Sequence, residues 1–344
     1  MGNKIPEDSA PIDSMNGMDM SAHSEHQHGM DMGPLSFSCD GKPWSGMGPE
    51  RPGEWWIFFC AGLAMTLWCT HWTISIFRRY LSSVMSNRHP YHALPYHPIP
   101  RLAGSWPIEG ALKASVSLVG IFSLLLFSHP ASPRICGPNT PRAGHLSPDA
   151  LYVSEDIWIL FGFLLSGMID VIGHYTHLPN NMEHAFLAAA FGLQAFLLRK
   201  EVHGDMLDSM MFLLLFYAVF GTTLSVLAEM VAPSSFWAGC ARLFTTWMQA
   251  IWYFACARFL YEDRLAWSTI PPDMAPGMFV PVVFVGWMNT TGLGLLLAFI
   301  LVRWWASRHP EEYEQVALLG DPSRAPSAAI QLGKASRAKN TGLS

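Results

Sequence analysis

Two groups of side chains in this 344-residue sequence have the types and spacing to do chemistry. The first lies near the start, where Gly17-Met18-Asp19-Met20 and Gly29-Met30-Asp31-Met32 form a near-repeat around His23, Glu25, His26 and His28. Thioether sulfur is a soft ligand suited to Cu(I), and imidazole suits Cu(II). Met18, Met20, His23, His26, His28, Met30 and Met32 therefore make a set that can take copper in either oxidation state. The bland reading of the same stretch is a polar tail with incidental Met and His.

The second group sits inside long apolar blocks. Glu109 and Lys113 are four apart with the acid first, the favourable order for an ion pair on one helical face. Asp170, His174 and His177 fall at i, i+4 and i+7, a single stripe that can bind a metal, relay protons or simply satisfy itself. Glu229 and Arg242 flank a short Pro-Ser turn, so they should face each other at similar depth on neighbouring antiparallel helices. His71, Gln194 and Gln249 are further polar points suited to interhelical hydrogen bonds.

These residues need a membrane to be informative, and the composition supplies one. The chain is 51% hydrophobic but only 14% charged, against about 25% charged in a typical soluble domain. Seven apolar stretches, 55–77, 108–127, 157–177, 184–200, 208–231, 236–260 and 279–302, are each bounded by Pro, Gly or charge. Stretches near 20 residues suit helices rather than barrel strands, because every backbone polar group must be satisfied within lipid. The expected fold class is all-α: a seven-helix transmembrane bundle (55–302) between a disordered Met/His-rich leader (1–54) and a disordered tail (303–344). An ionisable group in such a span costs several kcal/mol unless it faces the interior and pairs.

Arginines 78, 79, 88 and 101 in the first connection, and the Arg/Lys-rich tail, belong in the cytoplasm by the positive-inside rule. Seven spans then put the leader and the 128–156 connection outside or in a lumen, where Cys39 and Cys136 can form a disulfide. The expected location is the plasma membrane or an endomembrane. Trp55, Trp56, Trp252, Tyr253, Trp304 and Trp305 read as interface anchors. The loop His89-Pro90-Tyr91-His92-Ala93-Leu94-Pro95-Tyr96-His97-Pro98 reads as a stiff membrane-surface connector. With a net charge of −5 there is no basic footprint for nucleic acid. No phosphate loop, nucleophile elbow or H-E-x-x-H helix occurs, which argues against soluble hydrolase or kinase chemistry.

The leader's Met-Asp-Met and His-x-x-His-x-His blocks resemble the extracellular motifs of Ctr-type copper importers; the rest of the chain departs from that family, whose pattern implies three spans. From the second span onward the sequence resembles the transmembrane protein 45 family. The carrying residues are Ile108-Glu109-Gly110-Ala111-Leu112-Lys113, Ser166-Gly167-Met168-Ile169-Asp170, the run Leu213 to Gly221, Glu229, Arg242, Gln249 and Trp252. This resemblance implies a seven-span bundle in the plasma membrane or an endomembrane. It also implies several membrane histidines. This chain keeps His203 but has Asp156, Glu201, Met210, Phe212 and Met288 at the corresponding places, and Gln194 where an acid is expected.

Three functional readings follow. The first is a non-enzymatic multi-pass membrane protein whose leader binds copper and assists metal uptake or sensing. The second is a scaffold or trafficking protein with membrane-protein partners. The third is a membrane enzyme using Asp170, His174 and His177 to hold iron or zinc.

Overall fold

The computed structural model describes residue 39 and residues 52–86, 90–94, 107–127, 135–176, 178–200, 206–262 and 275–309. Met18, Met20, His23, His26, His28, Met30, Met32, His177 and the tail beyond residue 309 lie outside them. Within the described residues the chain is all-helical apart from turns and one isolated bridge between Ile135 and Leu146.

Seven helices follow in order: α1 (Pro52–Ser86), α2 (Ile108–Phe127), α3 (Pro148–Tyr175), α4 (Met182–Lys200), α5 (Met206–Val231), α6 (Phe236–Cys256) and α7 (Ala275–Arg308). A π-helical turn, Ala257–Glu262, continues α6. Every expected span is a helix, but α1, α3 and α7 run well past the apolar boundaries. Hydrophobicity ends where the oil ends, whereas arginines such as Arg78 and Arg79 are good helix formers and carry α1 onward. Five helices, α1, α2, α3, α5 and α7, are long and apolar enough to cross a membrane. The other two carry much of the buried polarity.

The helices are packed inside out. Glu109, Lys113, Asp170, His184, Gln194, Glu229, Arg242 and Gln249 are all buried, while Leu67, Val119, Phe196, Val282, Leu293 and Leu301 lie on the outside. Such an apolar exterior would aggregate in water and is at home in lipid.

Helix neighbours follow an open ring: α2 packs on α3, α3 on α4, α4 on α5, α5 on α6, and α6 on α1. The ends of the ring, α1 and α2, are not packed along their length, and α7 lies outside against α1, α5 and α6. The α2–α3 contact is unusually close. A Cβ on Gly167 would stand 2.7 Å from Ala114 N and 2.9 Å from Gly110 O, and one on Gly110 would stand 2.8 Å from Asp170 Cβ. Two glycines facing each other let the backbones meet, as small residues do in membrane interfaces.

Three local devices set the ends. Asn181 adopts a left-handed φ of 66° in the tight α3–α4 turn, which asparagine tolerates well. Ser235 caps α6 by accepting from Ala238 N, closing a short turn after α5. The segment 90–94 folds back on that turn, with Ala93 N donating to Pro233 O at 2.6 Å and Arg79 Nη1 to His92 O at 3.3 Å. Tyr91 and Ala93 are buried by this docking, so this part of the expected surface connector packs into one end of the bundle, while His89 and Pro95 to Pro98 lie outside the described residues. At the opposite end, Cys39 and Cys136 form a disulfide with Cα atoms 5.3 Å apart.

The expected anchor role fails for two aromatics. Trp252 is fully buried and donates to Met211 O at 2.8 Å, and Tyr253 is hydrogen-bonded to Gln194. Their rings point inward because α6 is surrounded by α1, α5 and α7. Trp56, Trp304 and Trp305 do remain exposed.

Candidate functional site

The polar residues gather in two clusters linked by Trp72, whose ring face meets Arg242 and whose indole N–H meets Glu109. In the first, Lys113 Nζ lies 2.5 Å from Asp170 Oδ2 and 3.3 Å from Ser166 Oγ. The expected Glu109–Lys113 pair on one helical face is therefore replaced by a bridge from α2 to α3. The Gly110–Gly167 contact brings the helices near enough for this bridge. Glu109 instead faces α1, accepting from Trp72 Nε1 at 2.5 Å and Trp68 Nε1 at 3.2 Å, with His71 Nε2 3.5 Å away. These indole contacts cross the gap between the ends of the ring.

The second cluster joins three helices. Arg242 Nε on α6 lies 3.3 Å from Glu229 Oε1 on α5, the pairing that the short turn between them led one to expect. His184 Nε2, from the first turn of α4, lies 3.8 Å from Glu229 Oε2. All three side chains are almost wholly buried. The guanidinium is steered from two sides: its carbon stands 4.6 Å from the Trp72 ring centroid, and Nη2 donates to Leu94 O at 3.2 Å. Cation–π contact of this kind suits a weakly hydrated guanidinium. Gly239 leaves room beside it, since a Cβ there would come within 2.9 Å of Tyr91 Oη and 3.4 Å of Glu229 Oε1. Burial, reinforced by the nearby Glu229 carboxylate, pushes the Tyr91 phenol up to about 12.

This second cluster is under-bonded. Both His184 ring nitrogens, both Glu229 oxygens, and Arg242 Nε and Nη1 are buried with no hydrogen-bond partner among the described residues. Four of these six atoms nevertheless oppose a charge at 3.3 or 3.8 Å, so the cluster is held by electrostatic attraction rather than by well-formed hydrogen bonds.

Residues 180–268 match the model of a family of unknown function, DUF716. The matched segment holds α4, α5 and α6, and so His184, Gln194, Glu229, Arg242 and Gln249. The transmembrane protein 45 resemblance overlaps it from Leu213 to Trp252.

The other expected site residues are dispersed. Asp170 is consumed by Lys113, and His174 points outward against Tyr175. No group of three metal-ligating side chains occurs among the described residues, and His177, the third member of the expected stripe, lies outside them. Asp170 faces α2 within the bundle, whereas His174 belongs to the last turn of α3 and is exposed there. Gln249 donates to Thr222 Oγ1 at 2.5 Å, and Thr222 reaches Thr245 at 2.9 Å, so it braces α5 against α6. His184 is the participant that sequence reasoning missed. It stands at the first position of the fourth apolar stretch, where a histidine reads as a boundary residue. Only the depth of Glu229 and Arg242, traced across the α3–α4 turn, could have suggested that it faces them.

Proposed function

We propose that the chain is a non-enzymatic multi-pass membrane protein in which His184, Glu229 and Arg242 form a proton-linked site. The single observation that carries this reading is the buried, under-bonded cluster of three acid–base groups from three helices. Glu229 and Arg242 already neutralise each other. A proton on His184 then gives the cluster a net positive charge that the apolar interior cannot solvate, with Glu229, Arg242 and His92 the groups that face it. Acid therefore favours a rearranged bundle in which this charge meets water, and a site with that property suits a carrier or sensor driven by pH.

The test is thermal unfolding of the purified protein in detergent between pH 7 and pH 4. Wild type loses stability on acidification, whereas His184→Gln loses markedly less. An identical acid profile in the two proteins would remove the reading.

A second reading concerns the leader, and the Cys39–Cys136 disulfide favours it. Met32 precedes Cys39 by seven residues, a reach of at most about 25 Å, and Met18 precedes it by 21, a reach of at most about 75 Å, so the bond ties the set Met18, Met20, His23, His26, His28, Met30 and Met32 to the α2–α3 connection through a leash of limited length. We place this end outside or in a lumen, where disulfides persist, and Ser344 in the cytosol. There the leader captures copper and assists its uptake or sensing. Full-length protein should carry copper on purification and lose it when these seven residues are changed to serine. Equal copper in both proteins, or equal retention of zinc, would exclude capture by the leader.

A further inference from the structure

The outer side of α7 carries a polar side chain that lipid cannot satisfy. Asn289 is exposed near the middle of the apolar stretch 279–302, with ten residues of it before and thirteen after. We infer that α7 pairs in the bilayer with α7 of a second copy of this chain, along a seam in which each Asn289 carboxamide bonds to its counterpart.

Three observations carry this. First, α7 is the least covered of the five long apolar helices: 6% of its stretch is buried inside the chain, against 17–44% in the other four. Its inner side, marked by Val280, Thr291 and Ala306, is buried where α7 packs on α1, α5 and α6. Asn289 follows Val280 by nine residues, two and a half helical turns, which puts it on the opposite side.

Second, Asn289 has no hydrogen-bond partner among the described residues. The span carboxamides Gln194 and Gln249, by contrast, are buried and bonded. The helix satisfies the neighbouring Thr290, whose Oγ1 donates to Gly286 O at 2.9 Å. It cannot satisfy a carboxamide in full, because mid-helix N–H groups are already given to carbonyls and none is left for the amide oxygen. Lipid tails cover apolar side chains as well as protein does, yet they offer an amide neither donor nor acceptor.

Third, Val282, Gly286, Asn289, Leu293, Leu296 and Ile300 are all exposed and recur by alternate steps of four and three. That is the 3.5-residue repeat which keeps one seam facing a partner helix, and a single Asn within it fixes the register. The same chain is the occupant that fits. Two copies inserted with one topology present α7 in parallel, so residue 289 of each lies at the same depth. A carboxamide donates and accepts at once, and is therefore its own complement across a two-fold axis.

The experiment uses the full chain, singly labelled with a fluorophore, in phosphatidylcholine liposomes over a range of protein-to-lipid ratios. Single-molecule photobleaching reads the dimer fraction. Wild type should pass from one bleaching step to two as density rises. Asn289→Leu should need about tenfold higher density, the loss of a reciprocal pair of amide hydrogen bonds, whereas Asn289→Gln keeps the carboxamide and should stay near wild type. On mild oxidation Leu293→Cys, on the seam, should cross-link two chains beyond the wild-type background, and Trp287→Cys, two positions before Asn289 and facing away from the seam, should not. Monomers at every density, or coincident curves for wild type and Asn289→Leu, would overturn the proposal, as would cross-linking at Trp287 in place of Leu293. The cross-linking comparison decides the matter alone if an Asn289 variant fails to fold.

Discussion

Arg242 lies over the ring of Trp72, its guanidinium carbon 4.6 Å from the centroid, while the Trp72 indole N–H is given to Glu109 at 2.5 Å. One aromatic side chain on α1 thus connects the charge pair between α5 and α6 with the carboxylate at the start of α2. The ring closes electrostatically where it is open sterically. Trp72→Phe keeps the face but loses the donor, so it should weaken the α1–α2 contact with Glu109 while leaving the Arg242 pair in place. Trp72→Leu should disturb both. Thermal unfolding of the two variants, read beside wild type, checks the order.

Breaking the buried pair should be costly in one direction only. Arg242→Leu leaves Glu229 charged and orphaned, which is expected to cost ~3–5 kcal/mol, whereas the double variant Arg242→Leu with Glu229→Leu should recover much of that loss. Unfolding in detergent measures both, and equal losses would show that the pair is not buried as a unit.

The same logic applies between α2 and α3. Lys113→Met should destabilise by a similar ~3–5 kcal/mol, and adding Asp170→Asn should restore part of it, because an uncharged amide no longer needs a counter-ion. Glu109→Gln should not rescue Lys113→Met, since the cation serves Asp170.

Gly167→Val should force the α2–α3 backbones apart, because even a Cβ there meets Ala114 N and Gly110 O inside 3.0 Å. Gly286→Val on α7 meets nothing within 4 Å and should leave stability nearly unchanged. Purification yield and melting temperature compared across the two variants test the contrast.

Tyr91 yields a pH prediction with a definite sign. Its folded phenol titrates near 12 against an ordinary 10.0, so the folded state holds the proton more tightly than the unfolded chain. The associated stability is intact below about pH 10 and is lost as pH rises toward about 12, a change of ~2–3 kcal/mol. Tyr91→Phe should lack this component, and denaturation curves at pH 9, 10.5 and 12 would reveal the difference.

What was legible in the sequence follows from what is local. Apolar stretches announce helices because period and length are properties of a segment, and Glu229 with Arg242 could be paired across a turn of four residues. Lys113 was assigned to Glu109 because only helical neighbours are visible along a chain. Its true partner depends on two glycines 57 residues apart that let α2 and α3 touch. Trp252 and Tyr253 looked like interfacial aromatics, but that reading depends on how many helices surround α6. His184 was hidden for the same reason, since its meaning resides in α5 and α6.

The face-to-face glycines have a mechanical consequence. With backbones in contact and Lys113 bonded to Asp170, α2 and α3 form one tightly joined pair that α3 attaches to α4. Its free edge is α2, and the indoles that grip Glu109 serve as its latch. Any separation of α2 from α1 must first release that latch, so two tryptophans on one carboxylate hold the free edge in place.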